Sequence, residues 1–79
     1  MVTLEDIKSI LSKSKLRRVN IDNLKEDVPL AEQGLDSLDM FNVFLNIEMQ
    51  YNIKIEDNDF ALLKNINDIV NFINKKLYR

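Results

Sequence analysis

Residues 36–51 read Asp-Ser-Leu-Asp-Met-Phe-Asn-Val-Phe-Leu-Asn-Ile-Glu-Met-Gln-Tyr, and apolar side chains recur through them at helical spacing. At about 100° per residue, one set forms a narrow stripe suited to the core of a helical bundle: Met40, Val43, Phe44, Ile47 and Tyr51. Asp36 can cap the backbone amide of Asp39, and acidic residues suit the positive end of the helix dipole. The stretch therefore predicts a helix in which Ser37 is the first residue and Tyr51 is near the end.

A second apolar stripe occupies nearly the opposite side of this helix and consists of Leu38, Phe41, Leu45 and Met49. A helix in so small a bundle cannot bury both sides within one chain. We therefore expect an exposed apolar patch, which in a folded protein usually marks an interaction site. The alternative is that the preceding loop or a short later helix covers the patch.

The segments before this helix predict another helix and a long loop. Leu4, Ile7, Ile10 and Leu11 form a helical stripe, and Thr3 with Asp6 has the spacing of a capping box, so a helix is expected from about Thr3 to Ser14. From Leu16 to Gly34 the periodicity is lost, although apolar residues continue at irregular intervals. Loops of this length in compact domains are usually functional, and the apolar content predicts a packed loop.

Two further helices are predicted after the central one. A short helix is expected from Asp57 to Leu63 with Asp57 as its cap, and Asn65 is the expected cap of the last helix. The apolar face of the last helix consists of Ile66, Ile69, Val70, Ile73 and Leu77. Because no β-alternation is sustained, the sequence predicts an all-α four-helix bundle with three long helices and one short, folded as a single domain over residues 1–79.

Composition narrows the class of protein. The 79 residues are 46% hydrophobic and 30% charged, which is typical of a globular domain. No apolar run approaches the roughly 20 residues needed to cross a bilayer, so we expect no membrane insertion and a cytoplasmic location. The chain has no Cys and no His, which excludes a Cys-based metal site and removes the commonest general base. We expect no metal site and no catalysis by this chain alone.

Charge indicates the kind of partner. The formal net charge is −2 and the sequence pI is about 5.0, which disfavours binding to nucleic acid and predicts basic partners. We expect the protein to be a monomer. One short stretch is instead basic and contains Lys13, Lys15, Arg17 and Arg18. Cations near the end of the first helix are favoured by the helix dipole. We prefer that interpretation to a specific partner-binding role.

Residues 34–39, Gly-Leu-Asp-Ser-Leu-Asp, contain the only glycine of the chain and place Ser37 at a helix start. A nucleophilic serine needs a base within hydrogen-bond reach, and no His is present to supply it. Asp36 and Asp39 are better explained as the cap and a first-turn acid. Ser37 is either an ordinary first-turn residue or the target of another enzyme. A phosphate esterified there would meet free backbone N–H groups and the positive end of the dipole.

Residues 34–39 resemble the Asp-Ser-Leu attachment motif of acyl carrier proteins, whose serine receives 4′-phosphopantetheine from coenzyme A. The chain length, the first-helix stripe, the long loop, Ile55 and the segment 69–73 are also similar to that family. The resemblance implies a phosphopantetheine arm on Ser37, flanked by Asp36 and Leu38, that carries acyl groups as thioesters. It also implies a carrier that is not itself an enzyme and that serves a phosphopantetheinyl transferase and acyl-transferring synthases.

The same resemblance implies that partner enzymes recognise the second helix, through Leu38, Asp39, Phe41, Asn42, Leu45, Glu48 and Met49. Fatty-acid carriers typically have a strongly acidic second helix, whereas this one has only Asp39 and Glu48 beyond the cap. That difference favours a dedicated pathway, such as polyketide or aminoacyl transfer, and leaves fatty-acid synthesis open. The chain lacks the Gly-Gly-His-Ser form of peptidyl carriers. A protein-interaction module without a prosthetic group is the alternative function.

The acyl cargo is expected to find shelter between the second helix and the last two helices. Met40, Phe44 and Leu62 are the residues predicted to line that space. Met is an adaptable side chain that repacks readily around a guest.

Overall fold

A computed structural model describes residues 1–14, 16 and 19–78. It contains four α-helices: α1 (Leu4–Lys13), α2 (Ser37–Tyr51), α3 (Asp57–Phe60) and α4 (Ile66–Leu77). Two 3-10 turns, Ile21–Asn23 and Leu30–Gln33, lie between α1 and α2, and the described residues form no strand. The all-α prediction of three long helices and one short helix is confirmed. Within the described ranges, no helix is both long enough and apolar enough to cross a membrane.

Local sequence decides where the three long helices begin. Each starts with a reciprocal capping box, in which the cap side chain accepts from the amide three residues on while the acid at that position accepts from the cap amide. A cap of this kind stabilises a helix by about 1 kcal/mol. The three pairs are Thr3 with Asp6, Asp36 with Asp39, and Asn65 with Asp68. The predicted caps of all three long helices are therefore confirmed.

The short helix begins at Asp57, as predicted, but its predicted cap and its predicted end at Leu63 were wrong. The backbone N–H of Glu56 donates to the carboxylate of Asp59 at 3.0 Å, so the cap is Glu56 and Asp57 is the first helical residue. The helix ends at Phe60 because the chain then tightens into a turn, in which Leu62 N–H donates to the Asp59 carbonyl at 2.9 Å. This turn directs Leu63 into the core and leaves Leu62 exposed.

The core is formed where α1 packs against both α2 and α4. Its completely buried helical side chains come from one face of each long helix: Ile7, Ile10, Leu11, Val43, Ile47, Ile66, Ile69 and Ile73. Of the stripe predicted for α2, Val43, Phe44 and Ile47 are buried, whereas Met40 and Tyr51 are only half-buried and pack against the edge of the core. The apolar stripe is thus broader than the buried face.

The long segment between α1 and α2 is packed, as predicted. It buries Leu24, Leu30 and Leu35 in the core. Backbone hydrogen bonds tie it to the start of α4, from Leu30 N–H to the Lys64 carbonyl at 2.8 Å and from the amide of residue 67 to the carbonyl of residue 26 at 3.1 Å. These bonds fix the position from which the chain enters α2.

The basic stretch is only partly described. Lys13 is exposed in the last turn of α1, where the helix dipole favours a cation. The prediction for Lys15, Arg17 and Arg18 lies outside the described residues.

The opposite end of α1 is attached to α4 by two hydrogen bonds, because Val2 N–H donates to Asn74 Oδ1 at 2.9 Å and Asn74 Nδ2 donates to the Val2 carbonyl at 3.1 Å.

Candidate functional site

Ser37 is the first residue of α2 and is exposed to solvent. The neighbouring carboxylates belong to the capping box: Asp36 Oδ1 accepts from Asp39 N–H at 2.8 Å, and Asp39 Oδ2 accepts from Asp36 N–H at 3.1 Å. Their interpretation as a cap and a first-turn acid is confirmed by this geometry. Both side chains are held by backbone amides, which leaves the Ser37 hydroxyl accessible at a rigid helix start.

Gly34 sets the direction in which the chain approaches Ser37. Its φ is +106°, in the left-handed region that side chains disfavour, and it ends the turn Leu30–Gln33. Leu35 N–H then donates to the Leu30 carbonyl at 3.2 Å, and the Leu35 side chain is buried. Because Leu35 anchors the chain in the core, the next two residues emerge at the surface.

The start of α2 suits an anionic group on Ser37. The first backbone N–H groups of a helix have no partner within the helix, and the dipole there is positive. A phosphate ester on the Ser37 oxygen would lie against these groups. The carboxylates of Asp36 and Asp39 accept hydrogen bonds from backbone N–H groups of the cap. This part of the surface can therefore accommodate an esterified phosphate.

A cleft of about 250 Å³ opens beside the serine and is lined by Ser37, Met40, Phe41, Phe44 and Phe60. The Phe44 and Phe60 rings stack along one wall, with centroids 5.2 Å apart and planes inclined by 6°. A group attached to Ser37 thus has an apolar surface within immediate reach.

Of the three residues predicted to line a space for the acyl cargo, Met40 and Phe44 line this cleft and Leu62 does not; that the cleft holds the cargo stays a prediction. Leu62 is 68% exposed and does not line the cleft, because the chain leaves the helix at Phe60 and turns. Phe60 takes its place. The sequence contained a signal for Phe60, since an aromatic residue in a short amphipathic helix is expected to face its neighbours. Because the helix was predicted to continue to Leu63, Leu62 was assigned to that position instead.

The second apolar stripe of α2 is exposed, as predicted. Leu38 and Met49 are 68% and 75% exposed, and Phe41 and Leu45 are 51% and 40% exposed. Neither the described part of the long loop nor α3 covers them. These four residues are called the outer stripe below. It begins directly beside Ser37 and continues to the last turn of α2.

The polar residues predicted beside the outer stripe differ in their surroundings. Asn42 is exposed, whereas Asp39 is half-buried in the capping box. Glu48 is half-buried as well, and its carboxylate accepts from Ile55 N–H at 2.8 Å, which ties α2 to the segment before α3. Both acids of the helix are therefore engaged within the fold. Among the described residues, no group of three or more potential ligands could hold a metal ion.

Comparison with known proteins bears directly on this geometry. Residues 5–73 match a family model described as a phosphopantetheine attachment site. The chain is 35% identical over 72 residues to the acyl carrier protein of Thermotoga maritima, which covers 90% of this chain and 86% of that one. It is 37% identical over 60 residues to an acyl carrier protein homolog of Mycoplasma genitalium, with coverages of 76% and 71%. Identity to an acyl carrier protein of Campylobacter jejuni is 31% over 74 residues, with coverages of 92% and 94%.

These relatives are named as acyl carrier proteins or homologs of them, which are carriers rather than catalysts. The cofactor of the family is 4′-phosphopantetheine. Because the family match spans residues 5–73 and the relatives align over most of their own length, the chain belongs to the acyl carrier protein family.

Proposed function

We propose that this protein carries acyl groups as thioesters on a 4′-phosphopantetheine arm attached to Ser37, and that other enzymes attach and use the arm. One observation supports this most directly: the Ser37 hydroxyl is exposed at the first residue of α2, where both neighbouring carboxylates are held in the cap. An exposed hydroxyl at a rigid, positively polarised helix end suits a phosphate ester.

The roles of the chain's own residues follow from this position. When bound, the arm supplies a thiol that accepts and releases acyl groups. The first amides of α2 stabilise the phosphate, and the capping box keeps the helix start rigid. Asp36 and Asp39 are each engaged in the cap through one carboxylate oxygen, and the chain has no His to act as a general base near neutral pH. We therefore expect the modifying enzyme to supply the base.

The experiment is to incubate the unmodified protein with coenzyme A and a phosphopantetheinyl transferase and to measure the intact mass. The parent protein is expected to gain the mass of one phosphopantetheine group, and Ser37→Ala is expected to gain nothing while keeping its helical circular dichroism spectrum. Ser9→Ala is the matched control, because Ser9 is also an exposed serine on a helix. A mass gain on Ser37→Ala would refute the assignment.

Partner enzymes recognise this carrier more through apolar contact than through charge. The outer stripe and Asn42 are exposed beside the attachment serine, whereas Asp39 and Glu48 are half-buried and hydrogen-bonded within the fold. A surface of this kind suits a dedicated set of acyl-transferring synthases that contact apolar side chains. It is less suited to synthases whose basic patches recognise acidic side chains on the carrier. The neutral helix thus favours a specialised pathway for the cargo and leaves general fatty-acid synthesis open.

A second candidate function is a docking module without any prosthetic group. The exposed outer stripe favours it, because an apolar patch can bind a partner whether or not Ser37 is modified. The intact mass of the protein purified from its native host separates the two functions. A fraction carrying the phosphopantetheine mass supports the carrier, whereas unmodified protein under all growth conditions supports the docking module.

A further inference from the structure

A groove of about 270 Å³ runs between α1 and α2 and is lined by Ile10, Lys13, Asn46, Met49 and Gln50. Met49 also belongs to the outer stripe, so the groove continues the exposed apolar surface toward α1. The cleft beside Ser37 has an entirely different lining.

The walls of this groove are held in place before any partner arrives. Asn46 Nδ2 donates to Ser14 Oγ at 2.9 Å, and Ser14 Oγ donates to the Ile10 carbonyl at 2.8 Å. The first bond joins α2 to the end of α1 at one edge of the groove, the second fixes the Ser14 hydroxyl on α1, and Ser14 is buried. Ile10 is also buried, whereas Met49 is 75% exposed at the rim. A preformed groove loses little conformational entropy on binding.

The charge at the groove is opposite in sign to that of the whole domain. Among the described lining residues, Lys13 is the only charged one, and it is exposed. The two acids within α2 are engaged away from the groove, Asp39 in the capping box and Glu48 with the Ile55 amide. The domain has a net charge of −2, yet this groove presents an apolar surface with a positive rim.

We propose that this groove binds an acidic amphipathic helix of a partner enzyme, with an apolar side chain seated beside Met49 and a carboxylate placed against Lys13. The inference deepens the proposed function, because it rests on partner enzymes docking along α2. Charge complementarity selects the occupant: a carboxylate is attracted at the groove, although the net charge of the domain repels it. Amphipathic helices commonly dock into apolar grooves through side chains at helical spacing.

The test uses two synthetic amphipathic helical peptides that have identical leucine positions and differ only in their polar face, which is glutamate in one and lysine in the other. Each is titrated into the isotope-labelled, unmodified full chain, and amide chemical shifts are followed by NMR. The acidic peptide is expected to bind more tightly and to shift the amides of Lys13, Asn46, Met49 and Gln50. General electrostatic attraction to a domain of net charge −2 would give the opposite order.

Variants sharpen the result. Lys13→Glu is expected to weaken binding of the acidic peptide by about 3- to 10-fold, because it replaces one exposed attraction with a repulsion. Lys54→Glu makes the same change in net charge at an exposed position outside the groove and is expected to have little effect. Met49→Ala is expected to weaken binding without altering its salt dependence. Circular dichroism confirms that each variant keeps its helices.

Three outcomes would overturn the proposal: equal or tighter binding of the basic peptide, absence of shifts at the groove with the acidic peptide, or equal effects of Lys13→Glu and Lys54→Glu. None of these measurements requires Ser37 to be modified. A failure here would leave the mass experiment on Ser37 unaffected, and a failure of that experiment would leave this one interpretable.

Discussion

Phe41 is the aromatic residue of the outer stripe, and its removal is expected to impair docking. Its ring stands one turn after Ser37 and is 51% exposed, so a partner could bury about half of it. A Phe side chain buries roughly 200 Å², and the exposed half therefore corresponds to about 100 Å². At about 25 cal/mol per Å², complete burial of that area is worth about 2.5 kcal/mol. Phe41→Ala is expected to lower kcat/KM for arm loading by about 10- to 70-fold.

The assay is the steady-state rate of phosphopantetheine loading on Ser37 at varied carrier concentration, at low and at high salt. Asn42→Ala is the matched control, because Asn42 is the adjacent exposed residue of the same helix and contributes little apolar area. The Debye length falls from about 10 Å at 0.1 M to about 3 Å at 1 M salt, so charge-driven docking weakens steeply while apolar docking does not. A steep loss of rate with salt, combined with an unchanged rate for Phe41→Ala, would refute apolar recognition.

Three further predictions concern the site's local structure. Asp36→Ala removes the side-chain oxygen that caps α2 and is expected to lower the free energy of unfolding in urea by about 1 kcal/mol; an unchanged midpoint would show that the cap is dispensable. Gly34→Ala is expected to lower the free energy of unfolding by about 1–2 kcal/mol in the same assay, because a side chain disfavours a φ of +106°; a steric clash is not the cause, since the added Cβ would lie at an ordinary 3.6 Å from Val19 Cγ2. Full stability would mean that the chain relaxes away from this conformation. In acyl-loaded protein, we expect the melting temperature to rise with the length of the acyl chain, and Phe60→Ala to reduce that rise more than Leu62→Ala, because of these two residues only Phe60 lines the cleft. Equal effects of the two substitutions, or a melting temperature independent of acyl-chain length, would place the cargo in solvent.

The helices that could be read from the sequence are those specified by short-range chemistry. A capping box joins residues three apart, so Thr3, Asp36 and Asn65 were recognisable as helix starts without knowledge of the rest of the chain. The same holds for the opposed stripes of α2, since helical geometry alone separates them. The placement of Ser37 at the first residue of α2 followed from its position immediately after the cap residue Asp36.

Other features depended on contacts between residues distant in sequence, which no local pattern contains. Glu48 was predicted only as part of the surface that partners recognise, but folding brings the Ile55 amide to its carboxylate. The bond between Asn46 and Ser14 spans 32 residues and exists only because α1 lies beside α2.

The cleft depended in the same way on how α3 packs. Phe60 rather than Leu62 reaches Phe44, because the tight turn after α3 sends Leu63 into the core. The sequence by itself therefore determined the three long helices, their caps and the placement of Ser37 at a helix start, since these follow from interactions within a few residues. Only the tertiary structure decided which side chains line the cleft and the groove and which acids are free, because those outcomes depend on packing between helices.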